Sequence, residues 1–156
     1  MTHFNDTTEK EIQELLTHYP TKKAALLPVL HLAQRDFGWV SEEVMSMVAA
    51  RLELPVAHVY GVVTFYTMYR QKPVGRHQIE VCRTLSCAMM GSQKITDYLK
   101  SKLEINIGET TTDDRFTLLE TECLASCGTA PCARIDDAYH ENLTPGKIDH
   151  ILSQLK

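Results

Sequence analysis

The sequence predicts an α+β protein, a helical bundle followed by a part that mixes strands and helices. Three observations carry this. Apolar residues recur at helical spacing from Thr8 to about Tyr69. From His77 onward the pattern turns to alternation of the kind strands show. Between the two lies RQKPVGRH, residues 70–77, whose Pro73 and Gly75 suit a solvated connector. The expected organisation is therefore a helical subdomain over residues 1–75 and a second domain over 76–156.

In the first part, Thr8 followed three residues later by Glu11 fits a capping box. Ile12, Leu15, Leu16 and Tyr19 then share one helical face, and Pro20 ends the run. A second stripe passes through Leu26, Leu30, Ala33 and Phe37, with Gly38 as terminator. Pro28 fits only a first turn, so that helix is expected to begin near Ala25. Ser41 is placed to cap a third helix, with Glu42 and Glu43 at its positive end. Pro55 suits the first turn of a fourth. Outward residues near its end, at Tyr66, Met68 and Tyr69, are candidates for a docking surface.

In the second part HQIEVC reads as a strand, a helix is expected over roughly 91–103, and RFTLLETE reads as a strand running into Cys123. ARID and AYHEN are short strands around Asp136-Asp137. Thr144-Pro145 opens a last helix with Ile148, Ile151, Leu152 and Leu155 on its buried face. The order is β-α-β-β-β-α, with no internal repeat.

Composition narrows the function. Sixteen basic and twenty acidic residues give a formal net charge of −4 with no basic run, which argues against a nucleic-acid surface. No apolar stretch is long enough to cross a bilayer, and no signal peptide is visible, so a cytoplasmic location is expected. Thiols stay reduced there, and an odd count of five cysteines argues against a disulfide framework. The seven histidines are scattered and are assigned no site. There is no G-x-G-x-x-G or phosphate-cradling loop, and no acid, base or nucleophile to assign.

The cysteines form two groups, CRTLSC (82–87) and CLASCGTAPC (123–132). Cys82 and Cys123 stand at expected strand ends, with Cys87 and Cys127 in the loops beyond. If those strands are neighbours, four thiols converge at one sheet edge. The thirty-five residues between Cys87 and Cys123 suffice for a crossover helix. C-x-x-C is absent, which removes dithiol redox and haem-attachment readings. A binuclear iron–sulfur cluster suits longer chelate loops and small residues that let the backbone approach, here Ser86, Ala125, Ser126 and Gly128. Spacing alone leaves a zinc site open as well. Cys132, after Pro131 at a strand start, reads as a small core hydrophobe.

Taken together, DDRFTLLETECLASCGTAP (113–131), VCRTLSCAMMGSQ (81–93) and GVVTFYTMY (61–69) resemble the 24 kDa subunit family of respiratory NADH:quinone oxidoreductase, the bacterial E subunit. The resemblance implies a thioredoxin-like α/β [2Fe–2S] ferredoxin domain behind the helical bundle. It implies Cys82, Cys87, Cys123 and Cys127 as iron ligands, with Cys132 outside the set. The implied partners are a flavoprotein subunit that carries FMN and NADH and the rest of the NADH dehydrogenase module, peripheral on the inner face of the membrane. The implied work is one-electron exchange with the flavin. Ala125 stands where that family usually has Gly, which matters if the position requires φ > 0. The equivalent diaphorase subunit of an NAD-linked hydrogenase or formate dehydrogenase, and a zinc-stabilised adaptor without redox role, remain as alternatives.

Overall fold

A computed structural model describes residues 3–155; Met1, Thr2 and Lys156, which the expected domain spans include, lie outside the described residues. The chain divides into two compact units, Met1–Pro73 and Val74–Lys156.

The first unit holds four helices: α1 (Asp6–Thr17), α2 (Leu26–Phe37), α3 (Glu42–Leu52) and α4 (Val56–Phe65), with a 3-10 turn at Lys22–Ala25. The helix α1 starts earlier than a capping box at Thr8 would place it. The side chain of Asn5 accepts the amides of Thr7 and Thr8, and Asp6 and Glu9 sit favourably in the first turn. Thr8 is instead buried inside the helix, and Tyr19 lies beyond its end with its ring partly in solvent. Gly38 takes φ 78 and closes α2 by returning its amide to the Gln34 carbonyl. Ser41 caps α3 through the Val44 amide. Ile12, Val29, Leu30, Val48, Leu52, Val59 and Val63 form the core of this unit. Tyr69 belongs to that core and is not an outward docking residue. Its hydroxyl donates to the carbonyl of the partly buried Leu27, and the ring itself is buried.

The second unit is a four-stranded sheet with helices. Its strands are β1 (His77–Cys82), β2 (Phe116–Thr121), β3 (Ala133–Ile135) and β4 (Ala138–His140), in the order β2-β1-β3-β4. β1 and β2 are parallel, joined through α5 (Leu85–Met89) and α6 (Ser92–Leu103); β1–β3 and β3–β4 are antiparallel, and α7 (Pro145–Gln154) ends the unit. Alternation on β1 buries Ile79 and Val81, which pack with Leu99, Leu118, Ile135 and Ile148. The short helix α5 is absent from the sequence expectation. Five residues are too few for an apolar period to register, and Leu85 and Met89 on it face solvent. The strand β2 also stops at Thr121, two residues before Cys123. Past that point the Glu122 carbonyl accepts from the Thr84 hydroxyl and the Cys82 thiol instead of joining the ladder.

Candidate metal centre

Parallel pairing of β1 and β2 decides where the cysteines meet. The register sets Cys82 opposite Thr121, so the loops after both strands leave the sheet at one edge. After β1 the chain winds into α5, which carries Cys87. After β2 it runs through Cys123 into a 3-10 turn that begins at Cys127. Two contacts tie the loops together: Arg83 pairs with the Glu122 carboxylate, and the Thr84 hydroxyl donates to the Glu122 carbonyl.

Between the loops lies a cavity of 160 Å³ lined by Cys82, Cys87, Cys123 and Cys127 together with the small Ser86 and Ala125. Neither carboxylate nor imidazole lines it. Four sulfurs without a carboxylate or imidazole beside them suit an iron–sulfur cluster. Cys82 and Cys87 are buried and the other two are exposed, so the cavity has a fixed floor on the sheet and a rim in the loop.

The surroundings favour thiolate at Cys82 and oppose it at Cys87. Burial alone would push the Cys82 thiol up, but the amides of Thr84 and Leu124, with the Cys87 thiol and the Thr84 hydroxyl, together outweigh that and hold it below the ordinary range. Burial dominates at Cys87 and raises it. The Ala125 amide donates to the Cys123 sulfur over 3.3 Å, and to do so Ala125 adopts φ 57. That position does require the left-handed region, where a side chain is strained. The loop is held in place by Glu141. Its carboxylate accepts from the hydroxyls of Ser126 and, at 2.7 Å, Thr129, and these bonds keep it below the usual carboxylate range. Sequence spacing contains no sign of Glu141, Glu122 or Thr84, because each acts through a loop closed only by the fold.

The fifth cysteine lies closer to the site than a core bystander needs to. Cys132 is fully buried, and its sulfur stands 3.6 Å from that of Cys87. The sulfurs of Cys82, Cys87 and Cys132 all lie within 4.8 Å of one another. Burial, and then the neighbouring Cys87, push the Cys132 thiol up to about 12. Cys132 does not line the cavity the other four share.

The sequence profile of thioredoxin-like [2Fe-2S] ferredoxins matches residues 12–156. The chain belongs to this family. Its cofactor is accordingly a [2Fe–2S] cluster. Among relatives in this thioredoxin-like ferredoxin family, the chain is 43% identical over 147 residues to the E subunit of NADH-quinone oxidoreductase from Rickettsia bellii, covering 92% of this chain and 88% of that one. It is 37% identical over 145 residues to the NADP-reducing hydrogenase subunit HndA of Solidesulfovibrio fructosivorans, covering 93% and 85%. The fold is also that of a chain in an NAD+-reducing [NiFe]-hydrogenase in the air-oxidised state, with a TM-score of 0.74 at 23% identity. That likeness covers 84% of this chain and 22% of the hydrogenase chain.

Proposed function

We propose that this chain is the electron-transfer subunit of the NADH dehydrogenase module of an NADH:quinone oxidoreductase. Cys82, Cys87, Cys123 and Cys127 hold its [2Fe–2S] cluster, which supplies one-electron exchange with the FMN of a flavoprotein subunit. The observation that carries this is the cavity that those four cysteines share at the ends of two parallel neighbouring strands. The quinone-oxidoreductase relative from Rickettsia bellii supports the choice of complex.

The chain's own residues do three things. The Thr84, Leu124 and Ala125 amides offset negative charge on the Cys82 and Cys123 sulfurs. The end of β1 and the helix α5 keep the Cys82 and Cys87 side chains buried. Leu85, Met89 and Met90, exposed beside Cys87, form an apolar skin against which the flavoprotein subunit docks, so that an electron crosses a short, dry gap. The sequence carries no G-x-G-x-x-G phosphate-cradling loop, which supports a chain that relies on its partner for NADH oxidation. Among the described residues no helix is long and apolar enough to cross a membrane. The subunit works in the cytoplasm, attached at the inner face through its complex.

The test mixes the cluster-loaded chain with NADH and follows reduction by EPR. NADH alone should leave the signal absent, and adding the flavoprotein subunit should produce it. A Leu85→Glu, Met89→Glu double variant should keep the cluster but lose this reduction. A cluster that NADH reduces without a partner, or a double variant reduced at the wild-type rate, contradicts the proposal. The hydrogenase relative from Solidesulfovibrio fructosivorans favours a second setting, the diaphorase part of a hydrogenase. Co-purification with a hydrogenase instead of a quinone reductase decides for it.

A further inference from the structure

The convergence of Cys132 with two of the cavity cysteines goes unused in the electron-transfer role. We propose that the chain, when it carries no cluster, binds one thiophilic divalent ion on the sulfurs of Cys82, Cys87 and Cys132. A zinc–sulfur bond of about 2.3 Å sets the sulfurs of one tetrahedral site about 3.8 Å apart. Cys87 and Cys132 stand 3.6 Å apart, and all three sulfurs fall within 4.8 Å. A small adjustment of rotamers therefore closes three thiolates on one ion.

The trio is held by the sheet and not by the exposed loop. Cys82 ends β1, Cys87 sits on α5, and Cys132 immediately precedes β3, where its carbonyl accepts the Cys82 amide over 3.1 Å. All three are buried with Leu124 and Ala130. Binding is coordination without redox: the ion displaces three thiol protons to solvent and leaves a complex of charge −1. Water from the adjoining cavity takes the fourth position, as in other three-ligand sites. The ion thus uses Cys82 and Cys87 together with Cys132, and not Cys123 or Cys127. If the ligand set proposed above holds, ion and cluster exclude each other, and Cys132 sets how strongly zinc competes with cluster insertion.

Cadmium ion is the probe, added anaerobically to the cluster-free full chain and followed by thiolate-to-cadmium absorption with a competing chelator. One ion should bind per chain. Cys132→Ala should weaken binding by at least about tenfold, since even loss of an outer-shell partner costs that much. Cys123→Ala and Cys127→Ala should leave affinity within about twofold. Equal affinity in Cys132→Ala, or an equal loss in Cys127→Ala, overturns the site. X-ray absorption on the wild-type chain needs no variant: three sulfurs and one oxygen around cadmium are expected, and two or four sulfurs refute the assignment. Cluster loading of the same variants is scored separately, by iron and sulfide content. Failure of the electron-transfer reading would therefore not be mistaken for failure of this one.

Discussion

Replacing Ala125 by glycine should make the site hold its cluster longer. The residue stands at φ 57, where an L side chain costs about 1–2 kcal/mol. Glycine removes that cost but gives back roughly 0.5–1 kcal/mol through its greater freedom in the open chain. The remainder spans about 0–1.5 kcal/mol and, taken around its middle at about 0.5–1 kcal/mol, favours the closed loop. At about 1.4 kcal/mol per factor of ten, this lowers the open population roughly two- to fivefold. The Ala125 amide that donates to Cys123 is backbone and survives the change, so the EPR spectrum should not shift. The assay is anaerobic iron release to a ferrous chelator in excess, under conditions where release follows the open population. Ala125→Gly should release iron about two to five times more slowly, and Ala125→Val faster, since a β-branched residue fits that region worst. Release by Ala125→Gly at the wild-type rate or above would refute the claim that the loop is strained to aim this amide.

Three further outcomes are expected. A Cβ on Gly75 would lie 2.8 Å from the Phe116 nitrogen and 2.9 Å from the Arg115 carbonyl carbon, so Gly75→Ala must shift the connector or the start of β2. Urea unfolding should show a loss of about 1–3 kcal/mol. Burial, with Tyr66 adding to it, raises the Tyr69 phenol from 10.0 to about 12, so the folded helical unit favours its neutral form. That stabilisation is complete below pH 10 and is lost as pH rises through about 12; it amounts to about 2–3 kcal/mol. Unfolding curves of wild type and Tyr69→Phe should accordingly diverge over that interval, and parallel profiles would contradict it. Glu141→Ala removes the acceptor shared by Ser126 and Thr129 and should speed iron release several-fold while leaving far-UV circular dichroism unchanged.

Local chemistry is readable in the sequence where one residue decides it. Gly38, Ser41 and Thr144-Pro145 terminate or cap helices through their own backbone preferences, and the alternation of HQIEVC alone makes β1. The start of α1 escapes such a reading because two plausible caps compete, and the Asn5 oxygen reaches two amides. At the site, spacing indicates two cysteine pairs on two loops, and the parallel pairing of β1 with β2 brings those loops to one cavity. The position of Cys132 is hidden for a different reason. It follows from the antiparallel pairing of β3 with β1, which sets Ala133 beside Val81 and so brings Cys132 next to Cys82. No spacing within CLASCGTAPC encodes which strand β3 will choose. The φ of Ala125 is legible only as a question, because alanine itself does not announce a left-handed turn as glycine would.

On the proposed ligand set, Cys82, Cys87, Cys123 and Cys127, and not Cys132, hold the binuclear cluster. Iron and acid-labile sulfide analysis with EPR after reduction, on anaerobically purified wild type and five single Cys→Ser variants, tests this set most directly. The wild type should contain two irons and two sulfides per chain. The cluster should be lost on changing Cys82, Cys87, Cys123 or Cys127 and kept in Cys132→Ser. A cluster that survives Cys123→Ser or Cys127→Ser, or collapses in Cys132→Ser, would contradict the ligand set.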